Sequence, residues 1–194
     1  MNEILSRIIK GNYYYNTNDI DYWCNKEFVL NAIEYNSELY KYASCDLQND
    51  KDVVLKMIHK DGSLINLIQN ELKYDYDVIR ESLKTSIRAI EFITNEMKND
   101  IDFYVDLMKI NPYVYISSSI EFKQNRKIAL ELSSSIGKYF FYFPIKFRDD
   151  KEIVLNTVNN YGLSLKYASD RLRKDEDITY AAINNNQNAI EYVI

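Results

Sequence analysis

Two stretches of the chain read NKEFVLNAIEYNSELYKYASCDLQN, from Asn25 to Asn49, and DKEIVLNTVNNYGLSLKYASDRLRK, from Asp150 to Lys174. Both place the runs K-E-x-V-L-N and K-Y-A-S at the same distance from their first residue. The chain from residue 25 onward divides without insertion into segments of 25 residues, each of which begins with Asp or Asn. We therefore predict tandem repeats, and we number the positions within each repeat from 1 to 25. Repeats 1 to 7 are residues 25–49, 50–74, 75–99, 100–124, 125–149, 150–174 and 175–194, and residues 1–24 form a weaker N-terminal unit in the same phase.

The pattern within a repeat predicts two short helices. Asp or Asn at position 1 can cap a first turn, and the acid usually found at position 3 favours the positive helix end. Apolar residues then fall at positions 4, 5, 8 and 9, as in Val53, Val54, Met57 and Ile58, which is one face of a helix. Turn formers near position 12 precede a second helix, whose apolar residues lie at positions 15 or 16, 19 and 23.

Helices of roughly eight to ten residues are too short to be stable alone in water, so neighbouring repeats must stack and share a core. We predict an all-α fold, an α-solenoid of about seven to eight 25-residue helix-turn-helix repeats that form a single array over residues 1–194. The seventh repeat reaches Ile194 before its closing apolar position, so either these last residues dock on the array or the repeats continue beyond them.

Three motifs resemble a known repeat family. DKEIVL at Asp150–Leu155, YGLSLKYAS at Tyr161–Ser169 and RLRKD at Arg171–Asp175 are similar to the consensus runs D-K-E-V-V-L-x-A-V, N-G-x-x-L-x-Y-A-S and L-R-x-D of a helical repeat family catalogued as a domain of unknown function. The likeness is sharpest in repeats 1 and 6 and weakest in repeats 4 and 5. It implies helical repeats, and because the family has no established activity it implies no functional residues.

Composition limits the classes of partner. The net charge of −5 gives no general attraction to nucleic acid or to anionic lipid. The N-terminal residues lack the basic and apolar regions of a signal peptide, and no stretch approaches the roughly 18 apolar residues of a membrane span. We therefore expect a cytoplasmic protein without a membrane segment. Cys24 and Cys45 are too few for a disulfide framework, and we expect them to be reduced and half-buried.

Two features invite a chemical interpretation. The acids at positions 1 and 3, such as Asp50 and Asp52, suggest calcium binding, but the oxygen ligands, glycine and glutamate of a hand-type loop do not follow them, so we predict helix caps. His59, the only histidine, has no partner at metal-ligand or catalytic spacing and occupies a position that is polar in other repeats. We predict that it faces solvent, and we predict no catalytic residue, no metal and no cofactor.

Nucleic acid is an alternative partner. Cations at position 24, such as Lys73 and Arg148, could contact phosphates while the tyrosines at position 18 stack on bases. However, each cation lies close to the acid that begins the next repeat, and position 18 also holds Leu67 and Phe92, which predicts a core position. The cations are also placed to stabilise the C-terminus of a helix.

A departure in repeats 4 and 5 predicts a binding surface. Position 17 is polar in most repeats but is Ile116 and Phe141 in these two, and Tyr113 lies one helical turn before Ile116. Tyr113, Ile116 and Phe141 are therefore our candidate partner-binding residues, unless these two repeats have slipped in local register. The leading hypothesis is a non-enzymatic protein-interaction or scaffold module with an unknown protein partner. The alternatives are an array that binds RNA or single strands, and an enzyme whose site is assembled across repeats.

Overall fold

A computed structural model describes residues 4, 6, 7, 10 and 20–194. Every regular element in these residues is helical, which confirms the predicted all-α repeat fold. The chain divides into two compact units, Met1–Asp100 and Ile101–Ile194, and the division falls at the start of repeat 4. The single array over residues 1–194 stays a prediction.

Each repeat opens with an α-helix, and in repeats 1 to 3 and 5 to 7 the position-1 side chain caps it as the sequence predicts. In repeat 2 the Asp50 carboxylate accepts the backbone N–H groups of Asp52 and Val53 at 2.9 and 3.3 Å. The position-1 side chains of Asn25, Asp75, Asn125, Asp150 and Asp175 also accept N–H groups of the first turn. A short helix, Ile20–Trp23, precedes repeat 1, and the opening helices are Lys26–Tyr35, Lys51–Lys60, Tyr76–Leu83, Ile101–Ile110, Arg126–Ser133, Lys151–Asn160 and Glu176–Asn185.

The core is built from the predicted face of these helices. Val53, Val54, Met57 and Ile58 are fully buried, and positions 4, 5, 8 and 9 are buried throughout repeats 1 to 6. Burial of one such side chain contributes roughly 1.5–3 kcal/mol. Helices of eight to ten residues are thus held by the shared core of their unit rather than by their own stability.

The second half of each repeat is not one helix, which corrects the prediction. In repeats 1 to 6 it consists of two short helical pieces separated by an extended residue at position 19, such as Ile68 with φ −75° and ψ 117°. In repeat 7 the first piece is followed by the extended Val193. The first piece is a 3₁₀-helix in Ser37–Tyr42, Gly62–Leu67, Arg88–Phe92, Gly137–Tyr142, Gly162–Tyr167 and Gln187–Tyr192, and an α-helix in Tyr113–Ser117. The second piece is α-helical in Cys45–Gln48, Asn95–Asn99 and Ile120–Lys123, and 3₁₀ in Glu71–Tyr74, Ile145–Asp149 and Leu172–Lys174.

Residues at position 20 explain the break. Ser44 Oγ accepts the N–H of Leu47 at 3.4 Å, and Ser119 Oγ accepts that of Phe122 at 3.2 Å, so each serine begins a new helical turn instead of continuing the old one. In repeat 5 the residue is Pro144, which favours an extended conformation in the residue before it. The K-Y-A-S run therefore ends one helical piece and caps the next.

The 3₁₀ geometry also decides which residues face outward. With three residues per turn, positions 16 and 19 share a face, and Ile65 and Ile68 are both buried. Position 18 lies off that face: Tyr42 and Tyr167 are half-buried and Tyr142 is exposed. The prediction that the position-18 tyrosines belong to the core is therefore wrong.

Glycine at position 13 allows close packing of successive repeats. A Cβ added at Gly162 would lie 2.4 Å from the carbonyl oxygen of Ala182 in the next opening helix. The Gly162 N–H donates to Asn185 Oδ1 at 2.7 Å, and Asn185 Nδ2 donates to the Asn159 carbonyl at 2.8 Å. Gly137 and Asn160 repeat this arrangement one repeat earlier, so the spacing of repeats 5, 6 and 7 is set by backbone contact.

Val54→Asp should lower the free energy of unfolding by roughly 3 kcal/mol or more, because it places an unpaired charge in a fully buried site. Urea denaturation monitored by circular dichroism measures the loss. Lys41→Asp is the control, since Lys41 is exposed. Comparable losses in both variants would mean that the assigned phase of the repeat is wrong.

Gly162→Ala should destabilise the chain by about 1–3 kcal/mol, because the new methyl group meets a backbone carbonyl that cannot rotate away. Ser37→Ala is the matched control, since repeat 1 already carries a side chain at position 13. Equal stability of Gly162→Ala and wild type in thermal unfolding would contradict the close backbone contact.

Candidate functional site

In repeats 2, 3, 6 and 7 the acids at positions 1 and 3 are bound by a cation from the preceding repeat. Lys26 Nζ lies 2.8 Å from a carboxylate oxygen of Asp50 and 2.8 Å from one of Asp52. Equivalent ion pairs join Lys51 to Asp75 and Asp77, Arg126 to Asp150 and Glu152, and Lys151 to Asp175 and Asp177. The acids thus cap helices and link repeats. The sequence analysis did not predict this role for the cation at position 2, because its carboxylate partners lie 24 and 26 residues further along the chain.

These ion pairs shift the ionisation of both partners. The hydrogen bond from Lys26 lowers the pKa of Asp50, and Arg126 and Lys151 do the same to the pKa values of Asp150 and Asp175. In return, the carboxylates raise the pKa of Lys151. Among the described residues no group of three or more His, Cys, Asp or Glu side chains is arranged to hold a metal ion.

His59 lies at the surface, as predicted, with 72% of its side chain exposed. Its Nδ1 lies 2.6 Å from Glu81 Oε1, and Lys84 Nζ lies 2.5 Å from Glu81 Oε2. Burial raises the pKa of Glu81, but the bonds from Lys84 and His59 outweigh it and the net pKa is lowered. His59, Glu81 and Lys84 line an open cleft of roughly 540 Å³ together with Leu30 and Leu55. The contacts from Lys84 and His59 favour the ionised form of Glu81.

The three candidate binding residues all reach the surface, but they do not form one cluster of rings. Tyr113 is 50% exposed, Phe141 is 52% exposed and Ile116 is half-buried. The ring of Tyr113 packs against Tyr139 with centroids 6.5 Å apart, whereas Phe141 packs against Tyr167 at 5.3 Å. Tyr113 and Phe141 thus belong to separate aromatic pairs within the second unit.

Repeat 5 keeps the register of its neighbours. Its 3₁₀-helix begins at Gly137, position 13, and Phe140 at position 16 is fully buried like Ile65 and Leu165. Phe141 therefore occupies the outward-facing position 17 and is not displaced into the core.

The structure adds exposed residues that the sequence interpretation missed. Tyr142 lies beside Phe141 with ring centroids 5.5 Å apart, Ile145 is 81% exposed and Ile120 is 72% exposed. We call Phe141, Tyr142, Ile145 and Ile120 the apolar patch. Three of them, Tyr142, Ile145 and Ile120, line an open depression of roughly 440 Å³. The other residues that line it are Lys123, Gln124, Pro144 and Lys146.

Position 21 carried a signal for this surface. It holds Ile120 and Ile145 in repeats 4 and 5, and Cys45, Asn70, Asn95 and Asp170 in other repeats. The position opens the last helical turn and faces outward, so Cys45 is exposed rather than half-buried. Cys24 is exposed as well, and the predicted half-burial of both thiols is wrong.

Lys123 and Arg148, at position 24, are anchored within their own repeats, whereas Arg173 at the same position of repeat 6 donates to the Tyr192 carbonyl of repeat 7. Lys123 Nζ donates to the Ile116 carbonyl at 2.6 Å, and Arg148 donates to the carbonyls of Phe141 and Phe143. These carbonyl groups lie at the C-terminal end of the first helical piece of the repeat. Lys123 and Arg148 thus cap that piece and do not cap the second piece, in which they themselves lie. The Arg148 guanidinium also lies over the Phe141 ring, 5.2 Å from its centroid.

Comparison with known proteins identifies the repeats. A family model described as a domain of unknown function, DUF4116, matches residues 25–73, 75–123, 125–168 and 150–194. Neither the curated proteins nor the solved structures give a match. In the part of the chain that the structure describes, no helix combines the length and the apolar character needed to cross a bilayer.

Acid should weaken the ion pairs between repeats. Asp50, Asp150 and Asp175 have lower pKa values in the folded than in the unfolded chain, so the folded chain binds fewer protons. The stability that they confer is fully present above the unfolded pKa of about 3.9 and is lost as the pH falls through the folded values. The raised pKa of Lys151 acts only at the alkaline end, where its contribution is lost above about pH 10.4.

Removal of one of these cations should therefore make the free energy of unfolding less dependent on pH in the acid range. Lys151→Met keeps the stem but removes the group that lowers the pKa of Asp175, so stability should fall less steeply below about pH 4 than in wild type. Urea denaturation at stepwise lower pH measures the difference. Lys174→Met, at an exposed site, is the control, and identical acid profiles for Lys151→Met and wild type would contradict the coupling.

Proposed function

The chain belongs to the DUF4116 family, a domain of unknown function, and we propose that it is a non-enzymatic repeat module that binds another protein through the apolar patch. The observation that carries the proposal is the exposure of Phe141, Tyr142, Ile145 and Ile120 in two successive repeats. Positions 17 and 21, which hold Phe141, Ile120 and Ile145, are polar in most other repeats. Clustered exposed apolar side chains of this kind mark interaction sites.

The patch offers substantial binding free energy. Complete burial of one large apolar side chain contributes roughly 1.5–3 kcal/mol. Phe141 is held between the Tyr167 ring and the Arg148 guanidinium, so little side-chain entropy is lost when a partner covers it. Aromatic and arginine side chains at the centre of an interface commonly dominate its energy.

The roles of the ionisable residues favour a non-enzymatic function. The paired acids accept N–H groups and ion pairs, as Asp50 does, and these contacts account for them structurally. His59 and Lys84 both contact the Glu81 carboxylate at an open surface, and these contacts lower the pKa of Glu81. The exposed thiols of Cys24 and Cys45 suit a reducing compartment, and we include a cytoplasmic location in the proposal.

RNA or single-strand binding is the second candidate, because cations lie beside aromatic rings here. Lys146 Nζ lies 4.8 Å from the centroid of the Phe147 ring, and Lys166 Nζ lies 4.6 Å from that of Tyr167. However, the most exposed residues of the patch are Ile120 and Ile145, which offer no face on which a base can stack. Protein binding explains these two residues and nucleic-acid binding does not.

Affinity capture from a native lysate tests the proposal. The double variant Phe141→Lys, Ile145→Lys should lose a protein that wild type retains, because both changes introduce charge into the patch. Asn66→Lys, at the exposed position 17 of repeat 2, should retain it. Circular dichroism checks that all three proteins fold. Retention of the same proteins by the double variant and wild type would contradict the assignment of the patch.

A further inference from the structure

We propose that the apolar patch binds a peptide segment of its partner in which large apolar side chains are flanked by aspartate or glutamate. This inference rests on the proposed function and specifies the chemistry of the partner. It follows from the charges that surround the patch, how these charges are held, and which apolar residues lie between them.

The surroundings of the patch carry the opposite sign to the chain as a whole. The chain has a net charge of −5, yet the charged residues that line the depression are Lys123 and Lys146. Arg148 lies over Phe141, and Lys166 lies over the neighbouring Tyr167 ring. A partner that buries the patch therefore meets cations, and acidic side chains beside its apolar residues would complement them.

The nearby acid has local partners of its own. Glu121 follows Ile120, and its carboxylate is bonded to its own backbone N–H and to the Ser119 hydroxyl, which lowers its pKa. It is an acid in the first turn of its short helical piece, where it completes the cap. The cations that line the depression are instead bonded to neutral carbonyls, so their charge is not cancelled by a carboxylate.

These carbonyls hold the cations in place. Lys123 Nζ donates to the Ile116 carbonyl at 2.6 Å, and Lys146 Nζ donates to the Gln124 carbonyl at 3.0 Å. An ammonium group has three donors, so each lysine keeps donors for a carboxylate of the partner. Because the side chains are already ordered, an ion pair with the partner loses less entropy than one formed by a mobile lysine.

The apolar residues that line the depression favour a peptide over a nucleic acid. Ile120 and Ile145 occupy position 21 of adjacent repeats and line the same depression. Branched aliphatic side chains bury well against leucine, isoleucine or phenylalanine. The ring of Phe141 is engaged by Arg148 and Tyr167, so it is not an open platform for a base.

Selection from a display library of random short peptides tests the inference on the full chain. Wild type serves as bait, and Ile145→Ser, which removes the most exposed apolar side chain without adding charge, serves as the counter-bait. We expect the peptides enriched on wild type alone to combine large apolar residues with a net negative charge. Circular dichroism establishes that both baits are folded.

Charge reversal then tests the electrostatic part directly. For a selected peptide, Lys146→Glu should raise the Kd roughly three- to tenfold, and Lys146→Gln should give a smaller rise in the same direction. Lys174→Glu makes the same change of charge at an exposed site in repeat 6 and should leave the Kd unchanged. Added salt should weaken binding to wild type more than binding to Lys146→Glu.

The outcomes separate this inference from the proposed function. Peptides that require Ile145 but are neutral or basic would overturn the acidic partner while the proposed function stands. No enrichment on wild type over Ile145→Ser would overturn both. Binding of fluorescent polyuridylate that is strong in wild type and lost in Lys146→Glu would also overturn both, because the surface would then be a nucleic-acid site.

Discussion

The packing of one opening helix against the next within each unit is the interaction on which the rest of the structure depends. A helix such as Lys51–Lys60 is too short to persist in water alone, and its face of Val53, Val54, Met57 and Ile58 is buried only because other elements of its unit cover it. A repeat of this kind therefore cannot vary its core positions freely. Positions that face outward can vary more widely, as position 17 does between Lys41, Asn66 and Phe141.

Polar contacts between repeats follow from the fixed spacing. Once helices stack at a constant offset, a cation at position 2 always meets the acids that begin the next repeat, as Lys26 meets Asp50 and Asp52. A glycine at position 13 likewise always meets the helix ahead of it, as Gly162 meets Ala182. These contacts add modest stability individually, since the ion pairs are largely solvent-exposed, but they recur with the same register and so reinforce one way of stacking.

The apolar patch shows how such an array can acquire a specific surface without disturbing its core. Phe140 at position 16 is fully buried, while its neighbour Phe141 is half-exposed, because the 3₁₀ turn directs adjacent residues to different sides. Substitution at the outward-facing positions 17 and 21 therefore changes the surface rather than the core. Lys123 and Lys146, which donate to nearby carbonyl groups, give this surface a positive charge, although the net charge of the chain is negative.

The sequence alone determined the helical repeats, the caps at position 1 in six of the repeats and the buried face of the opening helices, because these depend on local spacing that recurs along the chain. The contrast between position 17 in different repeats also drew attention to Phe141, but it left open a local slip of register, and the structure shows the side chain half-exposed. Only the tertiary structure decided that the second half of a repeat is broken at position 19, that position-2 cations bind the next repeat, and that Ile120 and Ile145 line one depression. The reason is physical: a 3₁₀ piece and an α-helix bury similar residues with different periods, and side chains 25 residues apart become neighbours only when repeats stack.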